Sequence, residues 1–426
     1  MTINIITLGC SKNSVDSEVI ASKFTGLGHQ IFFESERDTD IVLINTCSFI
    51  RDAKEESIEE IFLQIDRKNK GLVKKVYVMG CLAQRYKSDL ADTIPEVDGF
   101  YTFTELPALL QSEDFDLLHH DGRELSTPSH YAYLKISEGC DRQCSFCAIP
   151  GIRGRQISKP LDQIIRETHA LVEKGVKELI LIAQDLTYYG MDLSRQRELD
   201  RLLEALAQIR GLEWIRLHYA YPNDFPYGVL EVMAKHPNIC KYLDIPLQHI
   251  NENVLKSMNR PSTPAKIYQL IDTIRERVPG ITLRTTLISG YPTETKEAHK
   301  ELVKFIEDVR FERLGVFSYS PEEGTPAFPL GDPVKPKEKN KRLEELMTIQ
   351  EGISHELNHA RVGTTMKVII DDQENDLYIG RTEFDSPEVD NSVFISSPEI
   401  LTIGNFYPVH IDRGDPYDLY GTLDKS

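Results

Sequence analysis

No stretch of this 426-residue chain is apolar for long enough to span a bilayer. The N-terminus, Met1-Thr2-Ile3-Asn4-Ile5-Ile6-Thr7-Leu8, lacks the basic start and cleavage site of a signal peptide and reads as a strand. Cysteines are few: seven, an odd number and unevenly placed, which argues against a secreted disulfide framework. These absences place the protein in the cytoplasm. Basic charge is also short, with 49 Lys+Arg against 67 Asp+Glu, a formal net charge of −18. The deficit is uneven. Residues 1–130 stand at −9, residues 131–358 at −1 and residues 359–426 at −8. Acidic charge keeps a protein soluble, but a C-terminal module at −8 would also repel a phosphate backbone.

What is present is the composition of an ordinary soluble protein, 40% hydrophobic and 27% charged, in a chain long enough for two to three domains. Three of the seven cysteines fall in eight residues, Cys140, Cys144 and Cys147, spaced C-x3-C-x2-C directly after the strand-like run Tyr131–Ile136. They are too close for ordinary disulfides, and thiolates suit zinc or iron–sulfur centres. Three ligands leave one metal position open, as in a site arranged to react. A structural zinc knuckle with a distant fourth ligand is the alternative reading.

Residues 1–105 alternate strand and helix. Apolar runs at Ile3–Leu8, Ile41–Ile44 and Val76–Met79 predict buried parallel strands, with helices over Ser14–Leu27 and Arg51–Lys70. The series predicts a doubly wound open sheet. Each strand ends in a cysteine: Cys10, Cys47 and Cys81. The carboxyl ends of parallel strands lie along one edge, so the three converge in space as a second site with an open position. A lone cysteine after a strand is usually a buried small hydrophobe, but three in equivalent positions imply a shared function.

From Tyr131 the alternation restarts, with strands over Tyr131–Ile136, Glu178–Ala183, Trp214–His218, Tyr242–Leu247, Thr282–Ile288 and Leu314–Ser318. Six such repeats predict a partial barrel, with ligand-facing polar residues at the strand carboxyl ends. Those ends carry Gln184-Asp185, His218-Tyr219, Gln248-His249, Arg284-Thr285-Thr286 with Ser289, and Ser318-Tyr319-Ser320. Gln184 and Asp185 are placed to hold an ammonium group and Arg284 a carboxylate. Each also has a bland reading as a capping or rim residue. The basic loop Gly151-Ile152-Arg153-Gly154-Arg155 is open to two readings, substrate contact or solvated loop. Cys240 reads as a core cysteine. Beyond the proline-marked linker Pro321–Pro336 and a helix over Lys335–His359, five short strand-like runs in Thr364–Ser426 predict a small antiparallel β-barrel.

The C-x3-C-x2-C loop after the first strand of a partial barrel resembles the radical S-adenosylmethionine (radical SAM) superfamily. The three-part plan resembles its methylthiotransferases. Matching stretches are Leu8–Asn13, Asn45-Thr46-Cys47, Gly80-Cys81, Ile136–Pro150, Ala183-Gln184-Asp185, Pro246–His249 and Gly290–Thr295. The resemblance implies an N-terminal methylthiotransferase domain over 1–115, a radical SAM domain over 128–358 and a TRAM domain over 359–426. It implies two [4Fe–4S] clusters, one on Cys140, Cys144 and Cys147 whose open iron chelates S-adenosylmethionine, and one on Cys10, Cys47 and Cys81 that handles sulfur. Gln184, Asp185, Gln248, Arg284, Thr285 and Tyr319 are the candidate cofactor-binding residues. One-electron cleavage of the sulfonium would give the carbon radical that an unactivated C–H bond requires.

The family divides between enzymes of tRNA adenosine and a branch that modifies an aspartate of the twelfth small-subunit ribosomal protein. Acidic outer units suit a basic ribosomal protein better than tRNA. The stretches Leu8–Asp16 and Asp185–Gly190 resemble that protein-modifying branch. A reductant protein and a sulfur source are the further partners implied. The tRNA branch, and a non-enzymatic iron–sulfur or zinc protein, remain the alternatives at this point.

Overall fold

A computed structural model describes residues 1–113 and 115–424. The N-terminal sheet holds β1 (Thr2–Thr7), β2 (Gln30–Phe33), β3 (Thr39–Thr46), β4 (Val73–Gly80) and β5 (Gly99–Phe100), all parallel, in the order β2-β1-β3-β4-β5. Its central strands read as continuous apolar runs because both faces are covered. Ile3, Ile5 and Leu43 pack to one side, and Ile6, Val42, Ile44 and Val78 to the other. The helix Ser11–Gly26 follows β1, and the helix Cys81–Thr93 starts on its cysteine. Neither β2 nor β5 is legible in the sequence. Both are short edge strands, and β2 is at most half-buried, so it carries no burial pattern.

The central sheet is six parallel strands in sequential order: β6 (Tyr131–Lys135), β9 (Glu178–Ile182), β10 (Trp214–Leu217), β11 (Ile239–Asp244), β12 (Thr282–Ser289) and β13 (Arg313–Ser318). The two-residue strands β7 (Ser137–Glu138) and β8 (Ile157–Ser158) pair at the neck of the cysteine loop. Alternation is visible in β6 and β9. Ala132, Leu134, Leu179 and Leu181 join the outer core, while Tyr131, Tyr133, Ile180 and Ile182 meet Val15 and Val19 of the helix Ser11–Gly26. The N-terminal unit therefore lies in the open side of the partial barrel.

Two expected strand positions shift. The ladder of β11 stops at Asp244, because Pro246 has no N–H to continue it. Strand β12 runs on to Ser289, so Arg284 is its third residue and not part of its carboxyl end.

Strands β14 (Thr365–Glu374), β15 (Leu377–Thr382), β16 (Val393–Ser396), β17 (Phe406–Gly414) and β18 (Leu419–Leu423) form a closed barrel, antiparallel as expected except where β16 and β18 close it in parallel. The connection between β15 and β16 enters the central barrel, reaching Tyr131 and Tyr133 of β6, Tyr242 of β11 and His218 just past the end of β10. There Glu388 accepts from the Tyr131 and Tyr133 hydroxyls at 3.2 Å, Asp390 from Tyr242 at 2.7 Å, and Ser386 Oγ sits 2.8 Å from His218 Nε2. Among the described residues no helix is long and apolar enough to cross a membrane.

Candidate functional site: two cysteine trios and the arginine between them

The N-terminal trio is assembled by sheet topology. Cys10, Cys47 and Cys81 follow β1, β3 and β4, at the carboxyl edge where such sheets bind ligands. Asn13 ties the strand ends together: its Nδ2 donates to Leu8 O at 2.8 Å and Thr46 O at 3.2 Å. Ser57 Oγ accepts from the Cys47 N–H and donates to the Cys47 carbonyl, both at 3.0 Å. The glycines before Cys10 and Cys81 are obligatory. Gly9 has φ +97°, and a Cβ there would stand 2.8 Å from Cys47 Sγ. Gly80 has φ +94°, and its Cβ would meet Asn45 Oδ1 at 2.4 Å. Cys10 and Cys81 also open long helices, whose amino ends favour a bound anion.

The second trio is local. Between β7 and β8, Gly139 takes φ +77°, and a Cβ would fall 2.0 Å from the Arg155 carbonyl oxygen. The Arg142 backbone N–H donates to Cys140 Sγ at 3.4 Å, and Arg260 Nη1 to Cys144 Sγ at 3.4 Å. The Tyr221 ring lies between two guanidiniums, Arg142 at 4.0 Å and Arg260 at 4.3 Å from its centroid. The loop segment is pinned further by the Ser145 N–H, which donates to Met258 O, and by Ser145 Oγ, 2.9 Å from the Tyr291 hydroxyl. A cleft of about 520 Å³ is lined by Cys144 and Cys147 of this loop and by Arg85 and Tyr86 of the N-terminal unit.

Burial pushes the thiols of Cys47 and Cys140 up to about 11 and that of Cys147 to about 12. Neutral buried thiols are poor nucleophiles, whereas a metal displaces their protons on ligation. Each trio offers three soft donors. Among the described residues no three His, Cys, Asp or Glu side chains gather at single-ion spacing, and the ligands of a cluster sit on separate irons. The donor set fits an iron–sulfur cluster in each place, and at the N-terminal site the glycine cradle at Gly9 and the helix ends fit one as well.

Of the sequence candidates, Gln184 and Asp185 stand beside the cysteine loop. Gln184 Nε2 donates to Glu138 Oε1 at 2.7 Å, and its Oε1 is buried without a partner. Asp185, expected to hold an ammonium, accepts from Arg142 Nε at 2.8 Å and from the Thr187 N–H at 2.9 Å. Tyr319 reaches the loop through its edge contact with Tyr291, and its hydroxyl is buried and unpartnered. Gln248 is buried at φ +70° and bridges to Leu287 through its backbone. Two candidates are committed elsewhere. Arg284 is taken by Asp244 and by Asp390 of the C-terminal unit, both at 3.3 Å. Thr285 Oγ1 donates to Ile245 O at 2.8 Å and accepts from the Leu247 N–H, a backbone role.

Of the charged side chains that join the trios, sequence reasoning named only Arg153, as part of a basic loop, and missed the others. Asp16, Lys135, Glu138 and Arg153 form one network. Lys135 Nζ pairs with Asp16 and donates to Glu138 Oε2 at 2.7 Å, and Arg153 Nη1 reaches Asp16 Oδ2 at 2.5 Å. Burial alone would raise Glu138, but Lys135 and Arg153 hold it down to about 2. The one signal available was position: Asp16 lies one and a half turns after Cys10, and Lys135 and Arg153 flank the cysteine loop.

Comparison with known proteins agrees with this geometry. The radical SAM superfamily matches residues 134–306, the uncharacterized protein family UPF0004 residues 2–102 and the TRAM domain residues 362–423. A protein of Cytophaga hutchinsonii, ribosomal protein uS12 methylthiotransferase RimO, is 50% identical over 99% of this chain and 98% of its own. The protein of that name from Bacteroides thetaiotaomicron is 52% identical over 99% and 98%. Among solved structures, the radical S-adenosylmethionine methyltransferase TsrM from Kitasatospora setae aligns with a TM-score of 0.56 over 77% of each chain, at 15% identity. The cobalamin-dependent radical enzyme OxsB aligns at 0.51 over 82% of this chain and 56% of its own, at 12% identity. Those two likenesses show the fold alone. Descent is shown by the end-to-end relatives: the chain belongs to the RimO family of radical SAM methylthiotransferases.

Proposed function

We propose that the protein inserts a methylthio group at the β-carbon of an aspartate in ribosomal protein uS12, using iron–sulfur and S-adenosylmethionine chemistry. The observation that carries this reading is the presence, on the two sides of one junction between units, of two three-cysteine sites each one ligand short. Cys140, Cys144 and Cys147 would hold the [4Fe–4S] cluster that binds S-adenosylmethionine, and Cys10, Cys47 and Cys81 a second one that handles sulfur. When bound, these groups supply a carbon radical and the sulfur that meets it.

The chain's own residues position and enclose. Gln184 Oε1, Arg142 Nη2 and Arg260 Nε are among the unpartnered polar atoms left to meet S-adenosylmethionine beside the loop. Arg142, Tyr221 and Arg260 form a stacked cationic wall that shields the Cys140–Cys144 side from water. Asn13 and Ser57 fix the backbone that presents the N-terminal thiols. Holding reactants in a fixed arrangement is where such a protein contributes most of its rate.

The units divide at 1–115, 128–358 and 359–426 in this reading, and the protein works in the cytoplasm with a reductant protein and a sulfur source. The acidic termini suit a basic ribosomal protein. The test gives anaerobically reconstituted, reduced enzyme a peptide of the uS12 aspartate loop or unmodified tRNA, and weighs the products. A peptide gaining one methylthio group is expected. Modification of the tRNA alone would assign the chain to the tRNA-modifying branch, and zinc without cleavage of S-adenosylmethionine would refute an enzyme of this class.

A further inference from the structure

The loop Gly151–Arg155 was open between substrate contact and solvation, and Arg153 does neither. Its side chain is 3% exposed. It leaves the radical unit six residues after Cys147 and ends inside the N-terminal unit. Nη2 donates to Asn13 Oδ1 at 2.5 Å and to Cys81 Sγ at 3.6 Å. Nη1 donates to Asp16 Oδ2 at 2.5 Å and Glu138 Oε2 at 3.2 Å. The Phe103 ring covers the guanidinium, 4.2 Å from centroid to carbon.

We propose that Arg153 is a positioning residue for the N-terminal cysteine site: one guanidinium sets the spacing of the two trios and donates a hydrogen bond to the sulfur of Cys81. This rests on the reading above that both trios carry clusters. Three features favour a role beyond docking. First, the same nitrogen serves Asn13 and Cys81, so the residue that ties the N-terminal strand ends also fixes where the cation stands. Second, Asp16 and Glu138 hold the fork from the opposite side, so it cannot swing away from Cys81. Glu138 in turn holds Gln184, which joins the grip to the radical side. Third, hydrogen bonds and positive charge at cluster sulfurs make a cluster easier to reduce. A lysine could replace the charge but not the two-directional fork.

The test uses full-length reconstituted protein. In a background with Cys140, Cys144 and Cys147 changed to alanine, only the N-terminal site holds iron, and its reduction potential is titrated by electron paramagnetic resonance. Arg153→Gln should move that potential to more negative values, and Arg153→Lys should move it less, in the same direction. With all six cysteines restored, the ratio of 5′-deoxyadenosine to methylthiolated peptide should rise about tenfold in Arg153→Gln, the size expected for an outer-shell partner. If the glutamine variant does not fold, the lysine variant carries both readings. An N-terminal site that keeps its iron with unchanged potential and unchanged ratio would overturn the inference. An N-terminal site with no iron even when Arg153 is present would overturn the two-cluster reading and this inference with it.

Discussion

The two cysteine trios carry the same ligands and are built in opposite ways. Cys140, Cys144 and Cys147 are gathered by eight residues of chain and closed at the neck by the β7–β8 pair. Cys10, Cys47 and Cys81 are spread over three strands and meet only when the N-terminal sheet has formed. A local site needs its own loop, whereas a distributed site needs a fold and a docked neighbour. The difference should show in how each fails.

The largest expected effect separates the trios by chemistry. Changing Cys140, Cys144 and Cys147 to alanine should abolish both 5′-deoxyadenosine formation and methylthiolation. Changing Cys10, Cys47 and Cys81 should abolish methylthiolation alone. Methylthiolated peptide from the second variant, measured by mass spectrometry, would break the division of labour.

Next come the glycines, one per site. Gly80→Ala forces φ +94° on a side chain whose Cβ would sit 2.6 Å from the Thr46 backbone N, besides the Asn45 contact. With ψ −163° this is a region essentially reserved for glycine, and the conformation alone costs about 1–3 kcal/mol. Iron analysis should find the N-terminal site empty and the radical loop filled. Gly139→Ala should do the reverse, because its Cβ collides with the Arg155 carbonyl inside the same loop. Equal iron loss at both sites in either variant would mean that the trios do not form independently.

The same contrast governs what the sequence could reveal. The radical loop is legible by eye, since its three ligands are adjacent and its chemistry follows from spacing. The N-terminal trio becomes legible once β1, β3 and β4 are read as parallel, because topology then puts Cys10, Cys47 and Cys81 on one edge. The junction between them is not legible. Asp16, Lys135 and Glu138 are ordinary charges in the sequence and Arg153 is one of a basic loop, and only docking decides that they are buried partners. The placement of Arg284 differs for a related reason: it was read as a strand end, but β12 continues past it and the C-terminal unit supplies Asp390. Position along a strand is a local property, while the direction a charged side chain is pulled is not.

A smaller effect probes the docking that the distributed site needs. The segment after β13 runs between the units. Glu322, 3% exposed, accepts from Lys54 at 2.9 Å and Arg85 at 3.1 Å, and Arg85 also donates to Ser48 O beside Cys47. Farther along the same segment, the Ala327 N–H donates to the Ser145 carbonyl inside the radical loop at 2.7 Å. Glu322→Gln should destabilise the protein by about 1–3 kcal/mol by chemical denaturation. Iron should remain at both sites, deoxyadenosine should form as before, and methylthiolation should fall. Parallel losses of both products would show that this segment braces the radical unit itself.

The smallest expected effect is a pH dependence inside the barrel, at His218 just past the end of β10. Burial, with Arg284, Arg216 and Lys12 nearby, holds His218 well below its ordinary value, so it stays neutral in the folded protein. Its ring stacks on Tyr242, and Nε2 meets Ser386 of the C-terminal unit. Lys12 of the N-terminal unit lies over the adjacent Tyr219 ring, so this histidine senses both junctions. The unfolded chain binds a proton below about pH 6.5 and the folded chain does not, so stability is fully present above that pH and declines as the pH falls. The slope is at most about 1.4 kcal/mol per pH unit. Asp244, raised by burial, works in the opposite sense at lower pH. The difference between wild type and His218→Gln is therefore the quantity to measure. Denaturation of the metal-free protein at pH 7.5, 6.5 and 5.5 should give a flatter profile for the variant. Identical profiles would mean that this histidine is not buried neutral. A flatter profile would mean that neutral His218, packed on Tyr242 and Ser386, makes the seating of the C-terminal unit in the barrel acid-sensitive.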